Sequence, residues 1–213
     1  MSNMEKFLID FKERFPEMAH LDDKMLQAAG MIVEAMAAGH TLFACGNGGS
    51  ASDSDHITGE LLKGFKSLRP LKPELKEKFS VYGDKGREMA DKLQYGLRAV
   101  SLTSHPAFTT AFLNDVDGQL IFAQQLFALG REGDVLIGIS TSGNAENVKS
   151  CFMTAKVMGV KTILLTGKDG GACASLADCE IRVPEQETYK IQEMHLPIYH
   201  TLCLMIEDHF YGI

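Results

Sequence analysis

The chain has 213 residues, 45% of them hydrophobic and 23% charged, a balance that suits a globular protein long enough to bury one sizeable core. Acidic residues outnumber basic ones 28 to 21 and the formal charge is −7, which argues against a nucleic-acid groove as the main business. A phosphorylated metabolite remains open, because a few local N–H groups matter more to its binding than net charge does.

The five cysteines, Cys45, Cys151, Cys173, Cys179 and Cys203, are odd in number and show no C-x-x-C spacing. Neither a disulfide framework nor a Cys-rich zinc site is expected, and free thiols in a reducing compartment are. No stretch approaches the roughly 20 apolar residues of a membrane span, so a cytoplasmic location is the default.

In chain order, residues 4–15 are amphipathic, with Leu8, Phe11 and Phe15 on a face that suits either core or a subunit contact. Residues 21–38 place Met25, Ala28, Ile32 and Met36 at helical spacing, with Asp22 and Asp23 at the end that the helix dipole favours. Short apolar runs follow: TLFAC (41–45), LRAVSLT (97–103), DVLIGIS (134–140), KTILLT (161–166) and CEIRV (179–183). Each is apolar along its length instead of alternating, as parallel strands covered on both faces are. Helical sequence at 117–130 and 147–159 separates them, the latter closed by Gly159. A β-α-β-α order requires a parallel sheet with right-handed crossovers. Residues 67–96 do not fit the minimal version of such a fold. They are rich in charge and read as two short helices, serving as a surface elaboration, a lid or a subunit contact.

Ligands of open parallel sheets bind beyond the carboxyl ends of the strands. Three such ends here share a chemistry: CGNGGS (45–50), STSGNAEN (140–147) and TGKDGG (166–171). Glycine admits close backbone approach, while hydroxyls and the first N–H groups of the next helix face whatever sits there. The three consecutive hydroxyls of Ser140, Thr141 and Ser142 suit phosphate oxygens. No Walker A loop is present, and the G-x-G-x-x-G spacing fails because Ala51 occupies its last position, so nucleotide binding has weak support.

Beyond the first turn, His56 and Glu60 fall at i and i+4, on one face if the segment is helical. Near the C-terminus, Gln192, His195 and His200 share a stretch whose apolar positions include Ile191, Ile198, Leu202 and Ile206. Gln192 and His200 are two turns apart, and Pro197 between them should bend the helix. Periodicity alone does not say whether the two helices meet.

Taken together, CGNGGSASDSDHITGEL, GREGDVLIGISTSGNAENV, LTGKDGG and IRVP…IQEMHLPIYH resemble a sugar-isomerase (SIS) domain, and among such domains the phosphoheptose isomerases most closely. The likeness covers nearly the whole chain outside 67–96. It implies a single SIS domain with a flavodoxin-like, five-stranded parallel sheet between helices, residues 67–96 being a helical insertion. It further implies a homotetramer with sites at subunit interfaces, and aldose–ketose isomerisation of a sedoheptulose 7-phosphate-like substrate through an enediol.

Carried over, Asn47, Gly48, Ser50, Asp115, Ser140, Thr141, Ser142 and Gln192 bind the sugar phosphate, while Glu60 and His200 form the acid/base pair. His56, Glu60, Gln192 and His200 match positions that hold Zn2+ in some members. Departures are also visible: Lys63 and Gly64 stand where a Gly and a substrate-binding Arg are usual, Ala145 where a Ser is frequent, and Tyr189 where an Asp is found. Two other readings therefore stay open. One is an isomerase of a different sugar phosphate. The other is a non-catalytic SIS module, either a phosphosugar sensor or a protein-binding tetramer of the DnaA-associating type.

Overall fold

A computed structural model describes residues 4–213. Two helices open the chain, α1 (Glu5–Arg14) and α2 (Asp22–Ala37). They precede β1 (Leu42–Gly46), α3 (Gly49–Leu62), α4 (Pro73–Ser80) and α5 (Gly83–Lys92). Then come β2 (Ala99–Ser101), α6 (Pro106–Asp115), α7 (Ile121–Leu129) and β3 (Val135–Ser140). The chain closes with α8 (Glu146–Met158), β4 (Lys161–Thr166), β5 (Cys179–Arg182) and α9 (Thr188–Tyr211).

The five strands form one parallel sheet in the order β2-β1-β3-β4-β5, the flavodoxin-like doubly wound arrangement. Neighbouring residues of each strand serve opposite faces, which is why the strands read as continuous apolar runs. Leu42, Ile137, Ile163 and Ile181 pack with Met25, Ile32, Ile198 and Leu202 of α2 and α9. Phe43, Leu136 and Leu164 pack on the other face with Phe122, Leu126 and Phe152 of α7 and α8. Met25, Ala28, Ile32 and Met36 are buried as their spacing predicts, and Leu8 and Phe11 of α1 join the same cluster. All five cysteines are free and buried. No helix among the described residues is long and apolar enough to cross a membrane.

Two details add to the sequence expectations. The helix α9 continues through Pro197, whose carbonyl accepts the Thr201 hydroxyl at 2.8 Å. The segment 67–96 does form two short helices, but its ends are clamped together: Pro70 and Gln94 make an antiparallel bridge, and Tyr95 N–H donates to Arg69 C=O at 2.8 Å.

Candidate active site

At the carboxyl ends of β1 and β3, where the sheet order reverses, lies a cleft of about 330 Å3. Asn47, Gly48, Gly49 and Ser50 line one side, Ser140, Thr141, Ser142 and Ala145 another, and Thr188 and Gln192 a third. Each side is the start of a helix: α3 begins at Gly49, α8 at Glu146 just beyond Ala145, and α9 at Thr188. Three positive dipole ends and their unsatisfied N–H groups therefore meet at one small cavity, which is what an anion requires.

Sequence details keep the cleft open. A side-chain carbon on Gly49 would stand 2.6 Å from the Gln192 amide nitrogen, so glycine lets α9 lay Gln192 against the first turn of α3. Gly143 has φ +66°, and a carbon there would meet the Gly170 carbonyl oxygen at 1.9 Å. The hydroxyl-rich turn is braced from within. Asn144 N–H donates to Ser142 Oγ at 3.2 Å, its amide donates to Ser142 C=O at 2.9 Å, and Ala172 N–H donates to Asn144 Oδ1 at 2.9 Å. Ser142 keeps its own hydroxyl proton for a ligand. At the rim, Asn47 and Asn147 exchange reciprocal amide hydrogen bonds of 2.8 and 2.9 Å, which tie the first turn to α8.

Farther along α3 and α9, side chains from the two helices form a second group. His56 Nε2 lies 3.2 Å from Glu60 Oε1 and 3.5 Å from His200 Nε2. Lys63 Nζ donates to the other Glu60 oxygen at 2.7 Å. Behind His56, its Nδ1 is 3.0 Å from the Tyr199 hydroxyl, which donates to Asp53 Oδ1 at 3.2 Å. Burial, then the neighbouring His56, holds the His200 imidazole below its ordinary pKa. Burial likewise raises the Asp53 carboxyl, and burial together with Asp53 raises the Tyr199 phenol. Two imidazoles and a carboxylate are the donor types that suit zinc. Among the described residues, however, no three His, Cys, Asp or Glu side chains are grouped in a metal-holding arrangement. Glu60 is engaged by His56 and Lys63, and Gln192 lies back at the cleft.

The loop after α3 is pinned under this group. Glu207 accepts from the backbone N–H groups of Phe65, Lys66 and Ser67 at 2.8, 2.7 and 3.1 Å and from Arg69 Nε at 2.9 Å. Both charged side chains are fully buried. Arg69 also donates to Leu61 C=O at 2.8 Å, and its guanidinium lies 4.7 Å from the Tyr211 ring centre. Burial works against ionising Glu207, but these donors outweigh it and hold its carboxyl below the usual range. The loop delivers Phe65 against His200, with ring centres 5.5 Å apart.

Of the residues singled out in the sequence, Asn47, Gly48, Ser50, Ser140, Thr141, Ser142 and Gln192 line the one cleft, and His56, Glu60 and His200 make the second group. Asp115 joins neither; it is exposed at the end of α6, where it accepts from the Asn114 amide. His195 is fully buried beneath β4. Sequence reasoning missed Asp53, Thr188, Asn147 and Tyr199. Asp53 stands three residues before His56 and so one turn away on the same helix, a signal that could have been used. Tyr199 sits within an apolar stripe and gave none.

A profile for the SIS domain matches residues 99–206, and a second SIS-domain profile matches residues 6–80. The chain is 38% identical over 190 residues to a phosphoheptose isomerase of Helicobacter pylori, covering 89% of this chain and 86% of that one. It is 38% identical over 211 residues to the phosphoheptose isomerase of a Nitratiruptor species, covering 99% and 100%. Among solved structures it resembles the phosphoheptose isomerase GmhA of Neisseria gonorrhoeae, with TM-score 0.74, 32% identity, and 94% and 93% of the two chains covered. The phosphoheptose isomerase of Francisella tularensis superposes with TM-score 0.75 at 32% identity, over 98% and 100%. By its sequence, its sheet order and the residues gathered at its strand ends, the chain belongs to the phosphoheptose isomerases of the SIS-domain family.

Proposed function

We propose that the protein interconverts sedoheptulose 7-phosphate and an aldoheptose 7-phosphate through an enediol. The observation that carries this reading is the convergence of three helix N-termini and the Ser140–Thr141–Ser142 hydroxyls on one cleft, two of those helices, α3 and α9, being the ones that carry Glu60 and His200. Phosphate binds in the cleft, held by backbone N–H groups and hydroxyls. Glu60 stands three turns along α3 from Gly49, so one helix carries both the cleft's first turn and the carboxylate.

Glu60 takes the proton from C1 or C2 and returns it to the other carbon. His200, whose pKa burial and the neighbouring His56 hold below its ordinary value, exchanges a proton with the sugar oxygens. Lys63 fixes the second Glu60 oxygen and places a cation beside the charge that develops on the enediol. The family resemblance assigns Zn2+ to the positions of His56, Glu60, Gln192 and His200, where it would supply Lewis acidity toward the substrate oxygens; in this chain alone the four are not drawn around one point, and none of these steps runs through the metal. A homotetramer working in the cytoplasm, with sites at subunit boundaries, would bring the exposed Asp115 toward a neighbouring copy's sugar chain.

A panel of C5, C6 and C7 ketose phosphates tests the assignment. The expected result is aldose formation with the C7 substrate strongly preferred. Turnover of a shorter ketose phosphate in its place would assign the same pocket to another sugar phosphate, and binding with no turnover on any would favour a sensor.

A further inference from the structure

Tyr199 is 2% exposed and packs against two imidazoles that also touch each other. Its ring stands edge-on to His56, with centres 5.4 Å apart at 72°, and to His200, at 5.1 Å and 85°. Its hydroxyl has one proton to give and touches two groups, Asp53 Oδ1 at 3.2 Å and His56 Nδ1 at 3.0 Å. A carboxylate can only accept, so the phenol proton goes to Asp53. The phenol oxygen must then accept, and the remaining donor is an Nδ1–H on His56. The other Asp53 oxygen is buried with no partner, which leaves Tyr199 as the contact that satisfies this carboxylate.

We propose that Tyr199, oriented by Asp53, is a positioning residue that fixes His56 in its Nδ1–H tautomer and so presents a bare Nε2 lone pair to Glu60 and His200. The inference rests on reading the His56–Glu60–His200 group as the reacting end of the site. With Nδ1 committed, His56 Nε2 faces a carboxylate oxygen at 3.2 Å and a second imidazole nitrogen at 3.5 Å. Electron pairs facing one another in this way call for a proton or a cation among them. Catalytic proteins commonly set a ligating imidazole from behind through a carboxylate or carbonyl; here a phenol is interposed between the two. Tyr199 is thus the means by which a half-buried acid one turn away on the same helix sets the chemistry of His56 without touching it.

The test is Tyr199→Phe, which keeps the packed ring and removes only the hydroxyl, with Asp53→Asn as the second variant. Nitrogen NMR of 15N-histidine-labelled protein, assigned through His56→Gln, reads the tautomer without substrate. Zn2+ affinity is measured in parallel by competition with a chromophoric chelator. The wild type should show a protonated Nδ1 and an unprotonated Nε2 at His56, and Tyr199→Phe should show mixed tautomers with Zn2+ bound about 10–100-fold more weakly. On the C7 ketose phosphate, kcat should fall while KM stays within about twofold, because the phosphate cleft is untouched. Asp53→Asn keeps an acceptor for the phenol and should give smaller changes of the same sign; it also stands in should Tyr199→Phe fail to fold. An unaltered His56 tautomer with unaltered Zn2+ affinity in the hydroxyl-free variant overturns the proposal. The nitrogen spectrum is independent of turnover, so an inactive wild type with the expected tautomer refutes the isomerase reading and leaves this one standing.

Discussion

Removing the carboxylate of Glu207 should cost the protein both stability and activity, although this residue touches neither the cleft nor Glu60. Glu207→Ala leaves the fully buried Arg69 guanidinium unpaired and strips the Phe65, Lys66 and Ser67 N–H groups of their acceptor. Breaking a buried ion pair from one side costs about 3–5 kcal/mol, a large share of the roughly 5–15 kcal/mol that holds a domain together. Glu207→Gln keeps the shape and one good acceptor, and should cost about 1.5–3 kcal/mol. Arg69 itself has φ +49°, a conformation an L-residue occupies only when its surroundings enforce it, so the loop should relax once the pair is broken. Urea denaturation at pH 7 measures the stability, and hydrogen exchange at the amides of residues 65–67 reports the loop. Because that loop places Phe65 on His200 and follows directly on Lys63, kcat should drop even where the variant stays folded. The pH dependence has a fixed sign. The Glu207 carboxyl is depressed in the fold, so its contribution is present above the unfolded carboxyl pKa and is lost as pH falls through the folded one. A Glu207→Ala protein destabilised by less than about 1 kcal/mol, with those amides still protected, would refute the claim that this pair pins the loop.

Burial pushes the His195 imidazole down to about 4, with Nδ1 unpartnered, so the unfolded chain binds a proton between pH 6.5 and about 4 that the folded protein refuses. Stability should fall through that window by about 3 kcal/mol, and a His195→Gln variant should lack this part of the decline; parallel curves would refute it. Gly143→Ala places a methyl group 1.9 Å from the Gly170 carbonyl at a positive φ, and should cost more than about 2 kcal/mol while weakening inorganic phosphate binding at the neighbouring hydroxyls. Unchanged stability and phosphate affinity would show that the turn yields there at no cost.

Four of the strands were legible to within a residue, because a strand covered on both faces must be apolar throughout: KTILLT at 161–166 is β4 as observed, and DVLIGIS begins one residue before β3, whereas the run read at 97–103 pairs only over Ala99–Ser101. The cleft at the strand ends was legible for a related reason, since glycines and hydroxyls there announce themselves locally. His56 and Glu60 were legible as a pair through their spacing. What joins them to His200 was not, because a contact between residues 144 positions apart leaves no local pattern. The Arg69–Glu207 pair, 138 positions apart, was hidden in the same way, and so was the Asn47–Asn147 exchange. Tyr199 was masked by its own ring. On an apolar stripe an aromatic residue reads as core, and only the structure shows where its hydroxyl points. The resemblance supplied Asp115 as a substrate contact, yet the residue lies apart from both groups within this chain.

The most direct test of the account is proton NMR of sedoheptulose 7-phosphate incubated in D2O with the wild-type protein and with Glu60→Gln. The account predicts aldose formation with deuterium entering at C2 in the wild type. Glu60→Gln should still bind the sugar phosphate, because the cleft three turns away is unchanged, but should neither exchange nor isomerise it. Exchange at C2 that persists undiminished in Glu60→Gln would contradict the assignment of Glu60 as the base.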